Sequence, residues 1–467
     1  MLNQSREMKM NRLIELMFSN YTLFKIFCVY QVLLQTLFAP VVPWMGKIGN
    51  ILIVFWAGLI AIYDFLHERQ ILKMGKEPLI ICFLGAVVIS IILNYHINLL
   101  DNLECLIVLL IIFFVFLPNY HKTLDSLQRE IKWFVNGLAG IMLLCSIASL
   151  FLYLFDLPIY RYSYRFCGVF SNPNFSSIMC FLGIVASIIA LIYRIEQFPK
   201  FYRFFHYLNL ACCIVLFAIS NSNSGKVMIA IFVGVCIFFV FYYKNENKKL
   251  MIRIIVSVFI TIIGMLATLG VYQGVQFGAA YGPGFINYVQ EQFLASNNPD
   301  KKPLEIEKEN FDRTEAGQAA DNNRFTIWKQ GWAAFKVKPI FGWGPRNIEN
   351  SVESVVKDPR SEIAAGGLHN MYLEILTGCG IIGFLSIILW IIQKIFLMVK
   401  FLFLTSIKND IWKHQILALS AAIAAFLVLN LFESVMLFTT SSYSFIFWIL
   451  LGFILSFMNL IKTSGDM

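Results

Sequence analysis

The chain has 467 residues, 58% hydrophobic and 14% charged, with a mean hydropathy of +0.71. That balance excludes a soluble protein built of domains with charged surfaces. The net charge of +9 is accounted for by basic residues at the ends of apolar runs, so it implies no nucleic-acid partner.

The apolar runs are about 18 to 22 residues long, enough to cross a hydrocarbon core of roughly 30 Å. In lipid the backbone must bond within each segment, so these runs read as helices. The short alternating strands of a β-barrel are missing. About twelve spans are expected, near residues 22–41, 48–65, 78–95, 103–118, 134–155, 174–193, 207–220, 227–243, 252–273, 371–393, 414–432 and 443–461. The first run follows a polar, charged stretch without a cleavage signal, so no signal peptide is expected. Basic residues alternate between loops. Arg6, Lys9 and Arg12 precede the first span, and Arg69, Lys73 and Lys76 follow the second. The loops after spans four, six, eight and ten repeat this pattern, which places both termini in the cytoplasm. The ten cysteines lie almost all in apolar runs and offer neither a disulfide framework nor metal-ligand spacing.

The whole chain reads as a single integral membrane domain with one large extracytoplasmic loop, residues 274–368, between spans nine and ten. Its stretch 297–323 is dense in charge and low in apolar residues, which predicts mobility. Phe325, Trp328, Trp332 and Phe335 then recur at three- and four-residue steps, the apolar stripe of a short amphipathic helix. Pro339 ends that helix, and the turn around Gly342, Gly344 and Pro345 delivers Arg346.

Of six histidines only His96 and His369 fall on the outer face. His369, at the end of the polar loop, is the better candidate for a general base, because an imidazole titrates near neutrality. Asn370 and Glu374 are four apart and share a helix face. A glutamate in the first turns of a span is costly unless it faces protein or water, so the helix is expected to start at a wet, protein-lined cavity. Arg165 precedes Asn172, Pro173 and Asn174, where Asn174 fits an N-cap for the sixth span. Ser222, Ser224 and Gly225 break the hairpin between spans seven and eight, and Lys226 begins the next helix. Arg165, Lys226, Arg324 and Arg346 thus converge on one membrane face by topology, and guanidinium forks suit phosphate oxygens. No outer loop carries an Asp-x-Asp pair to hold a divalent ion, and no soluble nucleotide-binding motif occurs.

These elements together resemble the O-antigen ligase and polymerase (Wzy-type) family of bacterial polysaccharide enzymes. Arg165 with GVFSNPN, the hairpin NSNSGK, Arg324 leading into FGWGPRN, and LHNMYLEILTGCGIIG carry the resemblance, over roughly residues 160–390. It implies an all-α polytopic GT-C-like glycosyltransferase of the bacterial cytoplasmic membrane, active on the outer face without metal or cofactor. Its donor would be an undecaprenyl-diphosphate-linked oligosaccharide and its acceptor a sugar hydroxyl, with membrane lipid and a chain-length regulator protein as further partners. The resemblance assigns catalytic roles to His369, Arg324 and Arg165, and substrate contacts to Lys226, Arg346, Asn174, Asn370 and Glu374. The chain departs from the family at Lys226, where many members carry arginine, and at Gly367, where many carry a second histidine. Within the family the polymerase reading is preferred over ligation to lipid A-core. Outside it the alternatives are a lipid-linked oligosaccharide flippase and a non-catalytic scaffold.

The topology is testable directly. A cysteine replacing Asn298 is expected to react with a membrane-impermeant maleimide in intact cells or spheroplasts. Labelling only after lysis would put His369 on the wrong side of the membrane.

Overall fold

The computed structural model describes residues 21–38, 44–66, 77–118, 121, 123–157, 161–162, 165–192, 199–295, 306–311, 323–361, 363, 367–404 and 410–464. Helices α1 (Tyr21–Phe38), α2 (Trp44–Leu66), α3 (Pro78–Leu93) and α4 (Leu99–Ile111, prolonged by a π-turn over Ile112–Phe116) lead into α5 (Leu124–Leu154). A two-residue hairpin pairs β1 (Arg161–Tyr162) with β2 (Arg165–Phe166) in antiparallel register. Helices α6 (Pro173–Ile192), α7 (Lys200–Ile219), α8 (Asn223–Lys244), α9 (Leu250–Ala279) and α10 (Gly282–Ala295) follow. Beyond them come α11 (Arg324–Val337), α12 (Ile348–Glu353), α13 (Met371–Leu404), α14 (Asp410–Leu429) and α15 (Ser442–Ser464).

Among the described residues ten helices are long and apolar enough to cross a membrane, against the expected twelve or so. The runs expected near 22–41 and 78–95 form α1 and α3, which are not among the ten; α3 is only 16 residues long. Several helices outrun their apolar cores. α5 starts at Leu124, ahead of the expected 134, because its charged first turns are amphipathic rather than apolar. α9 continues to Ala279, so the long loop does not begin at 274. Its glycines at 270, 274 and 278 stay helical, and a Cβ added at any of them would meet no neighbour within 4 Å. Of the stretch 297–323, only 306–311 and Asn323 are among the described residues.

The chain forms two compact units. One comprises residues 1–131, 323–408 and 430–467, the other residues 132–322 and 409–429.

In the first unit α13 packs on α3 and α11, and α15 on α1. Trp390 and Trp448 meet Phe113 edge-on in its core, with ring centroids 6.3 and 5.3 Å away. Lys25, buried on α1, pairs with Glu130 at 2.8 Å, and His121 meets the same carboxylate. α11 buries Ile327, Gly331 and Ala334 against Ile348, Val352, Ile363 and Leu368. This corrects the expected apolar stripe. Phe325 and Trp332 are 61% and 49% exposed, because the close approach of α11 needs small residues: a Cβ at Gly331 would meet Leu368 at 2.6 Å.

α13 is broken at Gly380, whose φ of 66° and ψ of −172° lie in a region open essentially to glycine alone. The segment 339–344 lies along the break and bonds what the helix cannot. Trp343 N donates to Thr377 O at 3.0 Å and Gly344 N to Gly378 O at 2.8 Å. Ile381 N donates to Pro339 O at 2.8 Å and Ile382 N to Ile340 O at 3.4 Å. Ser90 Oγ adds a second donor to Gly378 O at 2.8 Å. Unpaired backbone groups at this place would each cost several kcal/mol in hydrocarbon. A Cβ at Gly342 would come within 2.5 Å of the Gly378 carbonyl carbon, and one at Gly380 would collide with Ile340 O.

In the second unit α6 packs on α7, α8 on α9, and α14 on both α6 and α8. Asn209 Nδ2 bonds Gly183 O at 3.1 Å and Ser187 Oγ at 2.9 Å, polar ties between two apolar helices.

Gly380→Ala is expected to cost at least about 1–3 kcal/mol from the forbidden backbone region alone. Thermal unfolding in detergent measures this. Gly85→Ala, on α3 where an added Cβ meets nothing within 4 Å, is the matched control and should hold or slightly raise the midpoint, since alanine favours a helix over glycine.

Candidate functional site

In the first unit, residues 367–374 form a tight turn that starts α13. Asn370 is its N-cap: Oδ1 accepts from Leu373 N at 3.1 Å. Glu374, buried at 6% exposure, folds back so that Oε1 accepts from Leu368 N at 2.7 Å. Met371 N donates to Asn430 O at 3.0 Å. The turn needs two left-handed residues, Gly367 with φ 67° and His369 with φ 47°. A Cβ at Gly367 would collide with Glu374 Oε1, so the carboxylate occupies the space that a side chain at 367 would need. The polar residues that begin this apolar helix thus carry a definite load: Asn370 and Glu374 hold the turn, and the turn presents His369 at positive φ, a strained state typical of functional positions.

The imidazole meets a carboxylate absent from the sequence reading. Glu433 Oε2 lies 3.3 Å from His369 Nδ1, and its Oε1 accepts from Arg324 Nη2 at 2.6 Å. One carboxylate therefore bridges the candidate base and the first residue of α11. Asn430 builds the loop that offers Glu433, accepting from Val435 N at 3.2 Å and Met436 N at 3.1 Å. A carboxylate accepts only, so it fixes the proton of a neutral imidazole on Nδ1 and leaves Nε2 as the basic nitrogen. Burial opposes charging of His369, but the hydrogen bond and charge of Glu433 outweigh it and hold its pKa above the usual 6.5. Arg324 pushes the other way, and Glu374 reinforces Glu433. Arg324 Nε is buried without a hydrogen-bond partner among the described residues, so the guanidinium keeps donors beyond those given to Glu433.

Arg346 is exposed, while its backbone N donates to Asn102 Oδ1 at 2.9 Å and its Nη1 to Phe438 O at 2.8 Å. Asn102 also donates to Asn347 Oδ1 at 2.9 Å, so the turn after the 339–344 segment is tied to α4.

The remaining sequence candidates form a second cluster, in the second unit. Arg165 Nη2 donates to Asn174 Oδ1 at 2.9 Å and to Ser220 O at 3.2 Å. Ser222 Oγ donates to the same Asn174 oxygen at 2.9 Å and caps α8 by accepting from Gly225 N at 3.2 Å. Lys226 Nζ reaches Asn221 Oδ1 at 3.1 Å and stands 4.9 Å from the Tyr272 ring centroid. The N-cap assignment is corrected here. Pro173 opens α6, so Asn172 is the cap and its Oδ1 accepts from Asn174 N at 2.7 Å. Asn174, two residues beyond the cap, turns its amide to Arg165 instead.

Among the described residues no three His, Cys, Asp or Glu side chains gather as a metal site. Residues 208–388 match the protein family described as O-antigen ligase. That interval contains Lys226, Arg324, Arg346, His369, Asn370 and Glu374; Arg165, Asn174 and Glu433 lie outside it. An uncharacterized protein of Haemophilus influenzae is 26% identical over 199 residues, 42% of this chain. The match spans 43% of that relative's length.

The bridge predicts a titration. By NMR of labelled histidine, His369 should titrate above 6.5, and Glu433→Gln should move the midpoint down, because the groups that favour the charged ring are lost while burial remains. An unmoved midpoint would show that Glu433 does not act on the imidazole.

Proposed function

We propose, on the premise that residues 208–388 place this chain in the O-antigen ligase/polymerase family, that it is a membrane glycosyltransferase working at the outer face of the cytoplasmic membrane. Its donor is a glycan on undecaprenyl diphosphate and its acceptor a sugar hydroxyl. The observation that carries the reading is the Glu433 bridge, which sets a guanidinium and an imidazole on opposite oxygens of one carboxylate. A diphosphate leaves readily once its charge is met, and that task falls to Arg324 with Arg346. Fixed donors where charge develops are worth about 3–4 kcal/mol each. Arg165 is proposed as a further catalytic cation, and Lys226 and Asn174 as further substrate-binding residues.

The step balances as follows. The acceptor oxygen forms a bond to the anomeric carbon while its proton passes to Nε2 of neutral His369. The bond from that carbon to the phosphate oxygen breaks, and the electron pair leaves on polyprenyl diphosphate. Attack opposite the leaving group inverts the anomeric centre, and no metal is required. A positioned base of this kind contributes about 10²–10⁴-fold. Asn370 and Glu374 serve by holding the turn that carries His369.

Polymerisation, with a second lipid-linked glycan as acceptor, is preferred because the chain departs from the family at Lys226 and Gly367. Ligation to a terminal acceptor such as lipid A-core is the alternative within the same family. A ladder of products growing by one repeat unit marks polymerisation; a single transferred block marks ligation. The family match gives no support to a transporter.

His369→Ala and His369→Gln are both expected to lose transfer by about two to four orders of magnitude while still binding the lipid diphosphate donor. A glutamine bonds but takes no proton at neutral pH. Wild-type turnover in either variant would remove the base. Arg324→Ala and Arg165→Ala should abolish or severely reduce transfer in protein that is folded and inserted. The lysine variants should recover only part, since the planar fork is lost. Because the base acts neutral and its pKa is raised, the rate should climb with pH through a midpoint above 6.5. EDTA should leave the rate unchanged.

A further inference from the structure

An open groove of about 670 Å3 runs between α11 and the first turns of α13. Its α11 wall presents Phe325, Trp328, Lys329, Trp332 and Lys336, of which Phe325, Lys329, Trp332 and Lys336 follow at steps of four, three and four residues on one helix face. Aromatic ring and ammonium alternate along about 16 Å of helix. This is the face that α11 does not bury: Ile327, Gly331 and Ala334 go to the protein core. On the α13 side Tyr372 lines the groove with Leu373, Leu376 and Phe384, and Asn370, next to His369, lines it as well. Both lysines are exposed, and among the described residues neither has an ion-pair partner.

We propose that this groove binds an anionic glycan strand, one bearing carboxylate or phosphate groups, and that it aligns the acceptor for the reaction proposed above, on which this assignment rests. The alternation decides between occupants. A hydrocarbon chain gains from the rings but nothing from two uncompensated ammonium groups spaced along its path. A sugar ring lays its C–H face on an aromatic π-face, whose electron-rich centre attracts it. Anionic substituents on neighbouring rings then meet the ammonium groups as point charges. The open side suits a strand that extends beyond the groove, and the lining residue Asn370 brings its terminal hydroxyl beside His369. Lys329 and Lys336 therefore select acidic repeat units, and Phe325 and Trp332 supply the stacking surface.

The test uses the full chain purified in detergent and fluorescence anisotropy of two labelled probes, an oligogalacturonate hexasaccharide and maltohexaose. The acidic probe should bind at least tenfold tighter at low ionic strength, and the difference should shrink as salt screens the exposed charges. Lys329→Gln with Lys336→Gln should weaken the acidic probe about tenfold, about 1.4 kcal/mol, and the double arginine variant should restore binding. Trp332→Ala should weaken both probes. Equal binding of the two probes, or insensitivity to the glutamine pair, overturns the assignment. So does displacement of the acidic probe by phosphatidylglycerol in mixed micelles, which would give the groove to a lipid. Two outcomes separate this inference from the reaction. If the acidic probe binds as expected but the wild type transfers no glycan, the groove stands and the reaction falls. If the glutamine pair polymerises an acidic glycan at the wild-type rate, the reaction stands and the groove assignment falls.

Discussion

The backbone of α13 cannot break inside an apolar environment unless something else bonds its freed groups. The segment 339–344 meets that demand, giving two N–H donors to Thr377 and Gly378 and two carbonyls to Ile381 and Ile382. Much of the first unit's polar architecture follows. Because Trp343 and Gly344 are locked to the helix, Pro345 and Arg346 emerge at a fixed place, with Asn102 holding the Arg346 amide. Because Trp343 Nε1 donates to Ala334 O at 2.9 Å, the last turn of α11 is tied to the same seam. The N-terminal half of α13, which carries the His369 turn at its start, is thereby held between α11 and α3. The glycines are required by contact distance: a methyl group at 342 or 380 would occupy space taken by the opposing backbone.

The site built on this frame balances charge within a partly buried space. Arg324 and His369 share Glu433, whose side chain is 8% exposed. Removing Glu433 would leave the Arg324 guanidinium without its counter-charge, at a cost of about 3–5 kcal/mol. In the substrate-free state the carboxylate therefore satisfies the guanidinium that the proposed reaction assigns to diphosphate, and it orients the imidazole through Nδ1. The same contact that orients His369 also raises its pKa. The arrangement trades basicity and tautomer control against the fraction of neutral ring at a given pH.

In the second unit the candidate cations have neutral oxygens among their partners. Arg165 is met by an amide oxygen and a backbone carbonyl, and Lys226 by the amide oxygens of Asn221 and Asn223, at 3.1 and 3.4 Å. Lysine at 226 gives a compact charge without a fork. Its contact with Tyr272 fixes its direction where bidentate geometry would otherwise do so.

Helical identity and the membrane class followed from apolar run length alone, because hydrocarbon thickness and backbone bonding leave few alternatives. His369, Asn370 and Glu374 were legible as anomalies, since polar groups at the start of an apolar helix need a reason. Other features depended on distances between residues far apart in the chain. Glu433 is 64 residues from His369, and only folding brings its carboxylate to the imidazole; the available signal was a lone acid between apolar runs. The stripe of α11 was read from its largest residues, yet the buried face belongs to Gly331 and Ala334, because packing distance rather than hydrophobicity selected it. The glycines of GCG at 378–380 stand inside the expected span 371–393 with nothing in the sequence to set them apart. Their purpose became visible only with the 339–344 segment in place, for a backbone-to-backbone contact leaves no trace in the pattern of side chains.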